Sequence, residues 1–190
     1  MTLPGEHGSG GGAAACHGRA TLFNHDTLKE DYAMSQQDIP QPDARTISDY
    51  GSTHYFAHEA KPVLLRIGDP PAAHKTWLER MGALSATILT AWNPLGEEKS
   101  AAENDQAQAE FLADIVEREL RYLPASGEDP AATWQPEPGF CVFDVPDELL
   151  DEWLVRFQQN AAVQITQNEP CRLVWHPAIR TRMSEGSSGD

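Results

Sequence analysis

The chain has 190 residues, of which 40% are hydrophobic, so it is long enough for one domain with a sizeable core. Its formal net charge of −15 argues against a nucleic-acid or anionic-membrane partner, because phosphate binding requires clustered Lys and Arg side chains. No apolar run approaches the roughly 20 residues that a membrane-spanning helix requires.

Residues 1–45 are predicted to form a disordered tail, because glycine-rich and proline-punctuated polar segments cannot build a core. Met34 is a candidate for the true start of the protein. Residues 46–177 are expected to form the single domain. Residues 178–190, which end in a polar run with glycines, are expected to form a second disordered tail.

The cysteines and the N-terminus both indicate a cytoplasmic protein. Cys16, Cys141 and Cys171 are odd in number and lack paired spacing, which favours buried thiols in a reducing compartment. The N-terminus has no charged region followed by an apolar one, so it does not resemble a secretory signal.

The first ordered elements are expected to be short. Ser48–Gly51 suggests a turn of helix, and Thr53–His58 and Val63–Ile67 are predicted strands. Ala72–Met81 has the pattern of a short helix that ends at Gly82 as its C-cap.

The central stretch combines a strand, a polar corner and the longest helix. Ala86–Trp92 is an apolar run of strand length that Pro94 ends. Ser100 and Glu103 fit a capping box at the start of the helix. Its expected buried stripe consists of Phe111, Leu112, Ile115, Val116 and Leu120.

The remaining elements follow a predicted polar loop. That loop is expected over Pro124–Pro138, after a brief strand at Arg121–Leu123. Its one large apolar residue, Trp134, is expected to pack back onto the domain. We predict a strand at Phe140–Phe143, a helix that starts at Pro146, and a hairpin of two strands, Ala161–Ile165 and Arg172–Trp175.

This order of elements predicts an α+β fold. We expect a single two-layer domain, with a mixed β-sheet and about three helices packed mainly on one face.

Several motifs together resemble an uncharacterised bacterial family, the domain-of-unknown-function family numbered 3293. The motifs are Thr90–Pro94 with Ser100 and Asn104, Trp134-x-x-Glu137-x-x-Phe140, Phe157-x-Gln159-Asn160-Ala161, Tyr50-x-x-Thr53-x-Tyr55 and Leu65–Gly68. The resemblance covers roughly Tyr50 to Val174. The family pattern commonly has serine where this chain has Gly139. The resemblance implies no activity.

The corner after the predicted central strand is the candidate site. Asn93 follows the strand and Asn104 lies on the buried face of the next helix, so both should meet at one sheet edge. Gln159 and Asn160 reach the same edge only if their helix runs antiparallel to the long one. The predicted ligand-binding residues are Trp92, Asn93, Ser100, Asn104, Trp134, Glu137, Gln159 and Asn160.

These amides permit two interpretations: they satisfy buried loop backbone, or they bind a small polar ligand. Amides are poor acids and bases, which favours binding over proton transfer. Glu137 is the one candidate for a general acid or base, and a structural role for its carboxylate is the alternative.

No metal or cofactor is predicted. His54 and His58 lie four residues apart, which in a strand places them too far apart to chelate one ion. The sequence also lacks a phosphate-binding glycine loop.

We therefore expect a small binding or regulatory domain, whose partner is a small polar metabolite or another protein. The alternative is an enzyme that acts on a small polar or nucleotide-like substrate with Glu137 and the surrounding amides.

Overall fold

The computed structural model describes residues 39–186, and the expectations for residues 1–38 and 187–190 lie outside this range. The described residues form one seven-stranded sheet and five α-helices. The strands are β1 His54–Ala57, β2 Val63–Leu65, β3 Ser85–Leu89, β4 Tyr122–Glu128, β5 Glu137–Phe143, β6 Ala161–Thr166 and β7 Arg172–Trp175. The helices are α1 Ala44–Ser52, α2 Lys75–Met81, α3 Ala101–Glu117, α4 Asp147–Arg156 and α5 Pro177–Gly186.

The sheet is antiparallel throughout, which corrects the expected mixed sheet. Its strand order is β2-β1-β4-β5-β3-β6-β7, and every neighbouring pair is antiparallel. The helical crossovers do join strands that run in the same direction, as the sequence pattern indicates. However, β5 separates β3 from β4, and β3 separates β5 from β6, so the crossover strands never pair.

Helices cover both faces of the sheet, so the α+β class is confirmed but the expected two-layer arrangement with about three helices is wrong. Trp77 and Leu78 of α2 pack against Ile88 and other residues of one face. Phe111 of α3 and Trp153 of α4 pack against the opposite face. Along a central strand, successive residues therefore enter different cores, which explains the continuous apolar run of β3.

The long helix begins as predicted but buries a narrower stripe. Ser100 and Glu103 form the expected capping box. Phe111 and Ile115 are fully buried, whereas Val116 is 57% exposed, contrary to its place in the predicted stripe. Consecutive residues are about 100° apart around a helix, and here the buried stripe includes Ile115 but leaves Val116 on its solvent side.

The segment Pro124–Pro138 is mostly strand rather than the predicted long loop. β4 pairs with β1 on one side and with β5 on the other, which leaves only residues 129–136 as the connection. Pro124 lies beyond the part of β4 that pairs with β1, and its carbonyl accepts a hydrogen bond from the His58 backbone N–H at 2.8 Å. A proline lacks a donor but keeps this acceptor, so it is tolerated there.

The structure also differs from the expected domain limits, 46 and 177. Ile39 is 6% exposed and packs with Ala178 and Ile179 of α5, while Asp43 caps the first turn of α1. Isolated apolar residues such as Ile39 give no periodic signal, so the sequence alone indicated tails at both ends.

Candidate functional site

The corner after β3 has a strained backbone. Asn93 lies in the left-handed region with φ 47° and ψ 61°, and Leu95 also has a positive φ of 55°. For a residue such as leucine this conformation costs on the order of 1 kcal/mol or more. The Leu95 N–H donates to the Gln158 carbonyl at 2.7 Å, which ties the corner to the end of α4.

The Asn93 and Asn104 side chains connect this corner to the start of α3. The Asn104 side-chain oxygen accepts from the Asn93 backbone N–H at 2.9 Å, and its amide donates to the Asn93 side-chain oxygen at 3.0 Å. That oxygen also accepts from the Lys99 backbone N–H at 3.2 Å. These bonds close the loop before α3 into a compact unit.

Glu137 lies at the start of β5, next to the end of β3. Its Oε1 accepts from the Asn93 amide at 2.8 Å, and its Oε2 has no hydrogen-bond partner among residues 39–186. Burial raises the pKa of Glu137, and the Asn93 hydrogen bond opposes part of that rise. A partly buried carboxyl group therefore keeps one oxygen without a protein partner.

Gln159 and Asn160 reach the same sheet edge, which was expected only if α3 and α4 run antiparallel. The Gln159 amide donates to the Trp92 carbonyl at 2.9 Å and to the Phe157 carbonyl at 3.1 Å. β3 and β5 are antiparallel, so α3 and α4, which each return along the strand before them, are antiparallel too. The end of α4 therefore meets the end of β3.

A cavity of about 340 Å³ lies beside this edge, between α1 and the sheet. Its polar lining includes Glu137, Gln159 and Asn160, and Trp134 from the β4–β5 connection also lines it. The remaining lining residues are Thr46, Asp49, Tyr50, Thr53, Tyr55, Ile88, Leu89, Thr90, Gly96, Gly127, Gly139, Ala161, Val163 and Leu173.

Two tyrosines at this cavity were not among the predicted site residues. Burial raises the pKa of Tyr50 to about 12, an interaction with the Asn160 side chain lowers it in part, and the charge of Glu137 adds to the rise. Burial also raises the pKa of Tyr55, whose hydroxyl donates to the Tyr50 carbonyl at 3.0 Å. Both phenols are therefore neutral near pH 7. The motif Tyr50-x-x-Thr53-x-Tyr55 was the signal that could have identified them.

The other predicted site residues stand outside the cavity lining. Asn93 donates a hydrogen bond to Glu137, and its backbone N–H donates to Asn104. The Trp92 ring lines a second, shallower depression with His58 and Gln108, and its Nε1 is buried without a hydrogen-bond partner among residues 39–186. Ser100 accepts from the Glu103 N–H and caps α3.

His58, one of the two histidines considered as metal ligands, lies outside the cavity lining. His58 Nε2 lies 2.9 Å from the Ser126 hydroxyl, which donates to Glu128 at 2.9 Å. In the described part of the chain, no three His, Cys, Asp or Glu side chains are grouped so that they could hold a metal ion. None of the described helices combines the length and apolar character needed to cross a membrane.

The close approach of β3 explains why this chain has glycine at position 139, where the family pattern commonly has serine. A Cβ atom at this position would lie 2.6 Å from the Leu89 carbonyl oxygen, closer than packing permits. The serine that the resembled family commonly has there would need a shift of the neighbouring β3 backbone. No hydroxyl role is therefore available at position 139 in this backbone arrangement.

Comparison with known proteins confirms the resemblance for the part of the chain from the end of β3 to the start of β6, but not for the motifs that begin at Tyr50 and Leu65. The model of the family described as "Protein of unknown function (DUF3293)" matches residues 89–162. This range contains the corner after β3, α3, β4, β5 and α4, but not α1 with Tyr50. No curated protein and no solved structure matches the chain.

Proposed function

With residues 89–162 in DUF3293, a family of unknown function, we propose that this chain is a binding or regulatory module for a small polar metabolite. The observation that carries the proposal is the cavity beside α1, into whose wall the partly buried carboxyl group of Glu137 is built. Oε2 of this group has no hydrogen-bond partner among residues 39–186 and is not fully buried, so it is open to a bound ligand with a hydrogen-bond donor.

The size and lining of the cavity fit a small molecule better than a peptide. A volume of about 340 Å³ falls at the lower end of the range of about 300–1,000 Å³ usual for ligand pockets. Ile88, Val163 and Leu173 supply an apolar floor, while Glu137 and Asn160 supply polar groups. Such a combination binds the body of a ligand by burial and orients it through few polar contacts.

The surrounding amides support recognition. Asn93, Asn104 and Gln159 hydrogen-bond backbone and side-chain groups and thereby hold the walls of the cavity in place. Preformed walls reduce the ordering cost of binding. A protein is the alternative partner that the sequence permits, and it would bind to the surface outside this cavity.

The raised pKa of Glu137 favours a second candidate function, an enzyme that uses this group as a general acid or base. Its substrate would be small and polar or nucleotide-like, and Asn93 would hold the carboxyl group in position. Replacing Glu137 with Gln would then leave binding measurable but abolish turnover. A pure binding module would show no turnover in either protein.

The test is a metabolite screen by thermal shift with the wild type and a blocked variant. Ligand at 100 times its dissociation constant stabilises a protein by about 2.7 kcal/mol, which a melting curve detects. Thr46 lines the cavity from α1, so Thr46→Trp should fill it and remove the shift. Ser48→Trp, on an exposed position of the same helix outside the cavity lining, is the matched control and should keep it.

Hits that survive in Thr46→Trp would place the ligand elsewhere and contradict the proposal. A panel without hits, combined with a co-purifying protein that binds both variants equally, would favour the protein partner instead.

A further inference from the structure

The charges around the cavity restrict what it can hold, an argument that rests on the proposed function. Asp49 and Glu137 line it, and no Lys, Arg or His occurs among the described lining residues. Arg45 pairs with Asp49 at 3.8 Å, but its side chain is 89% exposed and does not line the cavity. An anionic ligand would meet the carboxylate of Glu137, which has no cationic partner among the described residues, and this repulsion costs free energy in a partly desolvated site.

Three aromatic residues line the cavity. Tyr50 and Tyr55 line the cavity from α1 and β1, and Trp134 lines it from the β4–β5 connection. A Cβ atom placed on Gly127 would lie 3.8 Å from Tyr55 Cε1 and 3.9 Å from Trp134 Cη2, so both rings lie beside Gly127.

Glu137 adds a negative charge to the cavity lining that contains these rings. Asn93 occupies Oε1, so the group can accept a further donor only through its other oxygen or the remaining lone pairs. The carboxyl group lies at the start of β5, and Gly127 is its direct partner on β4 in the sheet register. Glu137 therefore lies directly across from Gly127, the residue beside which the Tyr55 and Trp134 rings lie.

We infer that the cavity binds a small organic amine in its cationic form, with the ammonium group between Glu137 and the aromatic rings. Aromatic rings attract cations through the negative faces of their π systems, and a carboxylate adds a charge-assisted hydrogen bond. The carbon chain of the ligand then packs on Ile88, Val163 and Leu173, which line the cavity from β3, β6 and β7.

Three linear five-carbon compounds test the charge without changing the length of the ligand: cadaverine, glutaramide and glutarate. Binding to the full chain is measured by titration calorimetry. We expect binding of cadaverine, weaker binding of the neutral glutaramide, and none of glutarate. Because the chain carries a net charge of −15, surface binding of cadaverine is subtracted with Thr46→Trp, whose cavity is filled.

Two variants test the groups that hold the cation. Glu137→Gln keeps the shape and the acceptor for Asn93, and we expect cadaverine to bind about tenfold more weakly. Trp134→Ala, at a position that is 36% exposed, should weaken binding about threefold to tenfold. Glu98→Gln, at an exposed position outside the cavity, is the charge-matched control and should bind as the wild type does. Cooperative melting of each variant shows that it is folded.

Stronger binding of glutaramide or glutarate than of cadaverine would overturn the inference while leaving the proposed ligand site intact. Equal cadaverine binding by the wild type and Glu137→Gln would also overturn it. If no organic amine binds but another metabolite shifts the melting of the wild type and not of Thr46→Trp, the cation inference alone fails. If nothing distinguishes those two proteins, the proposed function fails with it.

Discussion

Asn93 and Asn104 bind each other through two hydrogen bonds across the corner between β3 and α3. The Asn104 oxygen accepts from the Asn93 backbone N–H at 2.9 Å, and its amide donates to the Asn93 side chain at 3.0 Å. Asn93 in turn donates to Glu137 at 2.8 Å. The position of the one carboxyl group with a raised pKa in this region therefore depends on an asparagine two steps away.

Asn104→Ala should destabilise the protein by about 1–3 kcal/mol, because it leaves polar groups of Asn93 without partners in a partly buried corner. Gln106→Ala, at an exposed position of the same helix, is the control and should stay within about 0.5 kcal/mol of the wild type. Urea denaturation measures both. Equal stability of the two variants would show that the asparagine pair contributes nothing to the fold.

Gly139→Ser should cost about 1–3 kcal/mol, since the added Cβ would lie 2.6 Å from the Leu89 carbonyl oxygen and force the strands apart. Gly51→Ala provides the comparison, because a Cβ there meets nothing within 4 Å and alanine favours the helix. The midpoint of thermal unfolding should fall for the first variant and rise or stay unchanged for the second. A stable Gly139→Ser protein would mean that β3 and β5 can shift to accept a side chain.

Glu137→Gln should make the protein more stable than the wild type near pH 7. Burial raises the pKa of Glu137 in the folded state, so folding disfavours its ionised form. The penalty is present above the folded pKa and disappears as pH falls through it toward the unfolded value, because the folded state then holds the proton. The advantage of the variant should shrink over the same pH range.

Chemical denaturation at a series of pH values measures this difference, with Glu98→Gln as the exposed control. A difference that is constant with pH, or one that grows on acidification, would contradict the raised pKa.

Phe111→Ala should cost about 3–5 kcal/mol, as expected for removal of a fully buried aromatic ring. The ring contacts those of Trp153, Phe157 and Phe140, with centroids 5.0, 4.9 and 5.7 Å away. Val116→Ala, on the same helix but 57% exposed, should change the free energy of unfolding by about 0.5 kcal/mol or less. Similar losses in both would show that α3 is rotated relative to the sheet.

The candidate site could be predicted in part. The corner at Asn93 and its proximity to Asn104 followed from the order of elements and the ends of strands. The arrival of Gln159 at the same edge stayed conditional, because it depends on whether the two helices run antiparallel. Tyr50 and Tyr55 were missed as site residues, because α1 is short and its position over the sheet depends on contacts remote in sequence. Trp92 was expected to share the site, yet its ring points to another depression.

Features that depend on neighbouring residues could be predicted from the sequence. The capping box at Ser100, the C-cap at Gly82 and the apolar run of β3 arise from interactions within a few residues, so local patterns reveal them. Strand pairing, in contrast, became evident only in the folded chain. β5 lies between β3 and β4 because hydrogen bonds join segments about 50 residues apart, and no local pattern specifies such a partner. The same long-range pairing carries Glu137 to the end of β3 and so creates the cavity.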